Sequence, residues 1–407
     1  MKASFVSACL VLAAVPGAAL PGAALAADGK VKIGVLSDMG GVYADITGPG
    51  SVVAARMAVE DFGGKALGQP IELVTADHQA KPDIGLSIAR AWLDTEGVDA
   101  IVDVPVSSVG LGIQALTKEK RKVFLNTAGA SSDFTGTACS PYATQWAMDT
   151  YTMASSSGRA LVKAGGNKWF FITADYAFGH ALERDATAAV KEAGGTVVGS
   201  ARHPLNNQDF ASHLLQAQSA GANVVGLANG TGDTVRSINQ AREFGLNTAG
   251  IKMAALVLFI SDVHALGLPA AQGTLLTESF YWGLDDETRA WGRRFMERNN
   301  GRAPGMYHAG VYSAVTHYLK AVEKAGGTDA AKVSAAMREM LIKDPLIKNG
   351  HIRADGKVMQ NYYLLEVKKP ADSKGPWDYY NVLATVPAED ATKQLSRSEC
   401  PDVKTPG

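Results

Sequence analysis

The segment Val31-Lys-Ile-Gly-Val-Leu-Ser37 decides the fold, because an apolar strand pattern stands there directly before a helical one. The residues after it carry apolar side chains at spacings of three and four, which share one helix face: Val52, Ala55, Val59 and Phe62. A strand followed by such a helix is the first half of a βαβ unit. The same alternation continues along the chain and predicts parallel β-sheets covered by helices.

Two successive runs of this alternation are present. The first run has three more predicted strands, at residues 71–77, 100–104 and 123–127. The second run begins at 169–173 and continues with predicted strands at 196–202, 223–228, 252–257 and 274–279; two more, at 362–367 and 379–386, follow long helices. The two runs predict an α/β protein of two doubly wound lobes. In this architecture ligands bind beyond the carboxyl ends of the strands.

Size and charge restrict the functional classes. A chain of 407 residues exceeds the size at which a single core stops growing, so two domains are expected. Lys and Arg number 39 against 40 Asp and Glu, and this balance argues against nucleic acid or an anionic membrane as a partner. No nucleophile elbow, zinc-protease motif or Cys-x-x-Cys pair is found in the sequence. We therefore expect no catalysis, metal or cofactor, with an exported α/β enzyme as the distant alternative.

Residues 1–27 have the pattern of an export signal. Lys2 gives a positive start, an apolar stretch follows, and Ala24-Leu25-Ala26 is a small-x-small cleavage site. A membrane anchor is the alternative, but the apolar stretch is shorter than the ~20 residues needed to span a bilayer. Cys9 is interpreted as part of the discarded signal. The mature protein is therefore expected in the periplasm.

Cys139 and Cys400 are the two cysteines that remain after cleavage. Both stand beside turn-forming residues, and in an oxidising compartment they predict a disulfide. Two free buried thiols are the alternative.

Small polar turns follow two strands of the first run. Ser107 and Ser108 come after the third strand and directly before a helix, and the turn at residues 126–132 follows the fourth strand. Hydroxyls and free amides at such positions suit a carboxylate ligand. The alternative for the serines is simple helix capping.

The strand ends of the second run carry aromatic and glycine-rich turns. Tyr176 and Phe178 follow the first strand there, as expected of a cleft wall. The turn with Asn229, Gly230 and Thr231 follows a later strand. Its Gly-x-Gly lacks the third glycine of a dinucleotide-binding motif, so it is a weak signal for a phosphate.

These segments together resemble the substrate-binding proteins of branched-chain amino acid type ABC transporters, which have the type I periplasmic binding fold. The resemblance is carried by the order and spacing of six pieces: residues 33–41, the serines at 107–108, the turn at 126–132, and residues 175–179, 209–211 and 240–245. It implies a small-molecule ligand and separate permease subunits as partners, and we expect a monomer.

The resemblance also implies two lobes joined by three crossover segments. Lobe 1 is expected at residues 28–148 plus 277–355, and lobe 2 at residues 149–276 plus 356–387. Residues 388–407 are then a C-terminal tail.

Site residues follow from the same resemblance. The ligand carboxylate is expected at the two first-lobe turns, on Ser107, Ser108, Ala128, Gly129, Ala130 and Ser131. The second lobe is expected to contribute Tyr176, Phe178, Asn229, Gly230 and Thr231. Amino-acid binders of this family carry an acid near Leu256 to pair with the ligand ammonium, and this stretch has none before Asp262. A buried ammonium without a counter-charge is strongly unfavourable.

The missing acid favours a carboxylate ligand without an ammonium group, with an aromatic acid as the leading class. Tyr43, Tyr176, Phe178 and the segment Phe280-Tyr281-Trp282 are predicted to supply an aromatic wall. For the last segment, packing between the lobes is an equal alternative. Branched-chain amino acids, short amides and urea remain near alternatives for the ligand.

Overall fold

The computed structural model describes residues 30–246 and 248–403, together with Met1. The predicted export signal, apart from Met1, lies outside these residues. Within the described part of the chain, no helix is long and apolar enough to cross a membrane.

The first sheet has six strands: β1 Val31–Ser37, β2 Lys65–Ala66, β3 Gln69–Asp77, β4 Ala100–Asp103, β5 Val123–Asn126 and β6 Ala143–Gln145. Their order is β2-β3-β1-β4-β5-β6, and all pairs are parallel except β2 with β3. The chain order reverses between β1 and β4, which is the switch point of a doubly wound sheet. The helices α1 Gly48–Asp61, α2 Pro82–Asp94 and α3 Ser107–Lys120 connect these strands.

The second sheet has four parallel strands: β7 Lys168–Ala174, β8 Thr196–His203, β9 Val224–Ala228 and β10 Lys252–Ala255. Their order is β10-β9-β7-β8, so this sheet has its switch point between β7 and β9. The helices around it are α4 Thr150–Lys163, α5 Ala177–Glu192, α6 Ala211–Ser219 and α7 Gly232–Glu243. The predicted α/β fold with two parallel sheets is confirmed.

The remaining elements are α8 Ile260–Leu266, α9 Leu268–Ala271, β11 Leu275–Glu278, α10 Asp286–Arg298, α11 Met306–Ala325, α12 Ala330–Glu339, β12 His351–Ile352, β13 Val358–Met359, β14 Tyr362–Val367, β15 Tyr380–Val386 and α13 Ala388–Ala391. Strands β11, β14 and β15 form a separate antiparallel sheet, which the sequence pattern did not predict. Helix α11 packs on α1 and α12, beside the first sheet.

Two long-range links join distant parts of the chain. The predicted disulfide between Cys139 and Cys400 is present and connects the C-terminal tail to the segment after β5. The second link is a buried ion pair, in which Lys357 Nζ lies 2.9 Å from Asp149 Oδ2. Both residues of the pair stand at the expected crossover segments, so the pair ties two of the proposed lobe connections to each other.

Candidate functional site

The carboxyl ends of the two parallel sheets face one another across a cleft. A small cavity of about 10 Å³ lies between them, with room for about one water molecule. Its walls come from loops after strands of both sheets and from α11: Tyr43, Ile46, Pro105, Ala128, Ala130, Tyr176, Phe178, Gly230, Phe259 and Tyr307. The structure therefore represents a closed cleft with aromatic walls.

A pair of tyrosines closes this cleft. The hydroxyl of Tyr43, in the loop after β1, is hydrogen-bonded to the hydroxyl of Tyr176, which follows β7. The Tyr43 backbone is held because Asp38 Oδ2 accepts its amide at 3.0 Å. Burial raises the pKa of both phenols well above the ordinary value, so both stay protonated at neutral pH. The pair must separate to admit a ligand.

The turn after β5 is fixed by its own side chains. Asn126 Oδ1 accepts the Gly129 amide at 2.7 Å, and Asn126 Nδ2 donates to the Gly129 carbonyl at 2.9 Å. The Ser131 amide donates to Ser107 Oγ at 3.2 Å, which joins this turn to the start of α3. For the amides of Ala128 and Ala130, both at the cavity wall, no acceptor is found among the described residues. These two amides are therefore donors without an acceptor in the part of the chain that the structure describes.

The serine turn has a different role from simple capping. Helix α3 has Val106 as its N-cap residue, and no side chain caps it there. Ser107 is fully buried, and its hydroxyl accepts the amide of the neighbouring turn. Neither Ser107 nor Ser108 lines the small cavity. Ser107 thus holds the turn at residues 126–132 in place through the Ser131 amide, without lining the cavity itself.

Six of the residues predicted for the site meet at the cavity: Tyr43, Ala128, Ala130, Tyr176, Phe178 and Gly230. Gly129 and Ser131 lie in the same turn with engaged amides, and Thr231 follows Gly230 with a φ of 51°. Asn229 is buried; its side-chain Nδ2 is hydrogen-bonded to His203 Nε2 at 3.1 Å, and its Oδ1 accepts the Thr234 hydroxyl at 2.9 Å. Its role is to hold the loop.

The structure places Leu256 and Tyr281 away from the cavity wall. Strand β10 ends at Ala255, so Leu256 follows the strand and is buried in the core. Tyr281 packs against Tyr380 with ring centroids 5.1 Å apart. Phe280 packs edge-on against Trp291. The segment at 280–282 therefore packs within the protein, which was the alternative to its role as an aromatic wall.

Phe259 and Tyr307 are cavity residues that the sequence did not indicate. Their rings are tilted by 55° with centroids 5.4 Å apart, and both residues line the small cavity and a larger one of about 330 Å³. The larger space, called the side cavity below, is lined by Asp45, Ile46, Phe259–Ser261, His264, Ala265, Asn300–Ala303, Gly305–His308 and Trp377.

A family model described as periplasmic binding protein matches residues 30–375 of the chain. The chain belongs to this family. The family assignment makes this periplasmic binding protein the ligand-binding component of an ABC transporter, and it places the protein in the periplasm.

Individual relatives agree with the assignment. A Leu/Ile/Val-binding protein homologue from Brucella melitensis is 26% identical over 364 residues, which cover 86% of this chain and 90% of that one. A periplasmic binding protein of known structure from Burkholderia mallei is 48% identical, with a TM-score of 0.89 over 92% of this chain and 99% of that one. A branched-chain amino acid ABC transporter ligand-binding protein from Burkholderia xenovorans is 41% identical, with a TM-score of 0.79 over 91% and 99%.

A more distant structure shares the fold. A solute-binding protein from R. palustris, solved in complex with 4-hydroxybenzoate, is 22% identical with a TM-score of 0.78 over 88% of this chain and 97% of that one. At this identity the likeness concerns the fold alone.

Three acids are buried around the cleft of this periplasmic binding protein. Burial raises the pKa of Asp103 to about 6, that of Asp262 to about 7 and that of Glu278 to about 8. Asp262 accepts the Phe259 amide at 2.9 Å, and Glu278 accepts the Tyr380 hydroxyl at 3.1 Å. None of the three lines either of the two cavities. Their carboxyl groups therefore make hydrogen bonds inside the protein and do not face either cavity.

Proposed function

We propose that this protein captures a small carboxylate that carries no ammonium group, with aromatic acids as the preferred class, and delivers it to the permease of an ABC importer. It acts as a monomer and performs no chemistry on the ligand. One observation carries the proposal: Ala128 and Ala130, whose amides have no acceptor among the described residues, line a small cavity whose described walls include no acidic side chain.

The electrostatics of the cavity discriminate between ligand classes. Amides that lack an acceptor are donors for a carboxylate, and hydrogen bonds to a charged group are worth roughly 1.5–3 kcal/mol each. An ammonium in the same place would lose its hydration without a counter-charge at the wall. Tyr176, Phe178 and Phe259 offer ring surfaces to an apolar body. The R. palustris protein, which shares the fold, was solved in complex with 4-hydroxybenzoate, so this fold can accommodate an aromatic acid.

A branched-chain amino acid is the second candidate ligand. The description of the Burkholderia xenovorans relative favours it, because that protein is 41% identical and belongs to a branched-chain amino acid transporter. The counter-charge would then have to come from Asp262 or Glu278, which lie behind the cavity wall and whose raised pKa values favour the neutral form. Short amides and urea need no counter-charge at all.

Calorimetric titration of the refolded, ligand-free protein with leucine, benzoate and cinnamate tests the proposal. We expect the aromatic acids to bind at least about a hundredfold more tightly than leucine, because an unpaired ammonium in a closed cleft costs several kcal/mol. Tight leucine binding without binding of the aromatic acids would overturn the proposal.

Ser107→Ala should weaken carboxylate binding about tenfold or more, because the Ser131 amide then loses its acceptor and the turn with Ala128 and Ala130 loses its bond to α3. Ser108→Ala is the matched control, since Ser108 is only half-buried and lines neither cavity. The affinity for one aromatic acid is measured for both variants. Equal losses would contradict the positioning role of Ser107.

A further inference from the structure

The side cavity adjoins the small cavity, and the proposed function does not use it. Its volume of about 330 Å³ exceeds the roughly 150 Å³ that holds a benzene ring in an engineered protein cavity. It shares Ile46, Phe259 and Tyr307 with the small cavity, so the two spaces lie on either side of the same residues. A ligand held by its carboxylate at the amides of Ala128 and Ala130 can therefore extend past this wall.

Two hydroxyls near this wall lack partners. Ser261 Oγ lines the side cavity, is buried, and has no hydrogen-bond partner within the described part of the chain. Tyr307 belongs to the wall of both cavities and is 4% exposed, and no hydrogen bond of its hydroxyl is found among the described residues. A buried hydroxyl without a partner costs free energy, which a polar group of a ligand would recover.

The rest of the side cavity is suited to an uncharged, flat group. Trp377 and His264 stack with ring centroids 4.1 Å apart and form an aromatic platform, and His264 Nδ1 is bonded to the Tyr379 hydroxyl at 2.7 Å. Burial lowers the pKa of His308 to about 4, so this imidazole is neutral. The charges of Asp45 and Arg302 pair with each other at the exposed rim. A second carboxylate would find no free cation among these residues.

We propose that the side cavity receives the far end of the ligand, and that the ligand is an elongated aromatic monocarboxylate with a neutral polar substituent opposite its carboxylate. This inference rests on the proposed function and narrows it. An arylpropenoate with a ring hydroxyl has this shape, whereas benzoate ends at the wall of Phe259 and Tyr307. A dicarboxylate of similar length is excluded by charge.

Gly305 offers a way to fill the side cavity without disturbing the small one. A Cβ atom at Gly305 would meet only Ile260 Cγ2, at 4.0 Å, and the backbone angles of Gly305 (φ −99°, ψ −176°) suit any residue. The leucine side chain of Gly305→Leu is therefore expected to occupy part of the side cavity. Gly305→Ser is the matched control, because serine is small and is a favoured N-cap residue for α11. Ala303→Leu, on the same lining, is a second filling variant in case Gly305→Leu fails to fold.

The experiment is a calorimetric titration with benzoate, 4-hydroxybenzoate, 4-hydroxycinnamate and terephthalate. In the wild type, 4-hydroxycinnamate should bind at least about tenfold more tightly than benzoate, and terephthalate should bind most weakly. In Gly305→Leu or Ala303→Leu, 4-hydroxycinnamate should lose about tenfold or more while benzoate changes by less than about threefold. Gly305→Ser should stay near the wild type.

The outcomes separate the two proposals. If benzoate binds and the filling variants leave 4-hydroxycinnamate unchanged, or weaken both acids equally, the role of the side cavity is overturned and the proposed function stands. If terephthalate binds as tightly as 4-hydroxycinnamate, the requirement for an uncharged substituent at the far end of the ligand is overturned. If no aromatic acid binds the wild type while leucine does, both the proposed function and this inference fail.

Discussion

Removing the disulfide, by Cys139→Ser, is expected to lower the free energy of unfolding by up to about 5 kcal/mol. The bond joins residues separated by 261 positions, and in the chain-entropy model a loop of this length restricts the unfolded chain by about that amount at most. The tail would also lose its attachment beside Lys118, which pairs with Asp402 at 3.3 Å. Denaturation by urea, followed by tryptophan fluorescence, measures the change.

Two controls isolate the bond from the side chains. Cys400→Ser and the double variant should each lose as much as Cys139→Ser, because any one substitution removes the same link. The wild type in excess reductant should show the same lowered midpoint. A midpoint in reductant that equals the oxidised one would show that the tail stays attached by packing alone. Thiol titration of the denatured, unreduced wild type should find no free thiol.

The two parallel sheets could be predicted because their central strands β1, β4, β5, β7 and β9 are buried on both faces. Such strands are continuous apolar runs, as in Trp169–Thr173 of β7, and each is followed by a helix of ordinary length. The antiparallel sheet of β11, β14 and β15 could not be predicted in the same way. Its strands are recognisable singly, but β11 pairs with a strand about 90 residues further along the chain, and no local pattern encodes such pairing.

The candidate site was predictable where it follows strand ends. Ala128, Ala130, Tyr176, Phe178 and Gly230 come directly after buried strands, and parallel sheets collect those positions at one edge. Tyr307 could not be found in this way, because it stands in the first turn of α11, which reaches the cleft only through its packing on α1.

The direction in which side chains point also could not be predicted from the sequence. Ser107 has the residue type and place expected of a direct ligand, but its hydroxyl accepts the Ser131 amide instead. Leu256 lies inside the strand predicted at 252–257, whereas β10 ends at Ala255. Successive side chains of a strand point to opposite faces, so sequence spacing alone could not decide which of these side chains reach the cleft.

Breaking the buried ion pair is expected to have the other large effect on stability. Lys357 and Asp149 have side chains only 1% and 5% exposed, and Lys357 Nζ also donates to the Ala147 carbonyl at 3.0 Å. Lys357→Met would leave the Asp149 carboxylate buried without its partner, at a cost of about 3–5 kcal/mol. The double variant Lys357→Met with Asp149→Asn should recover much of this loss, because neither side chain is then charged. Urea denaturation of the single and double variants gives the coupling energy.

The pH dependence of the Lys357→Met variant separates charge from packing. Burial by itself raises the pKa of Asp149, but the charge of Lys357 and the Thr152 amide hold that pKa below its ordinary value in the wild type. Without Lys357 the burial dominates, so the pKa of Asp149 in the folded variant should exceed that in the unfolded chain. The folded variant then binds a proton more readily than the unfolded one, and its stability should rise as the pH falls from 7 towards 5. The deficit relative to the wild type should therefore shrink over this range, whereas a deficit that is constant with pH would show that Lys357 acts through its packing.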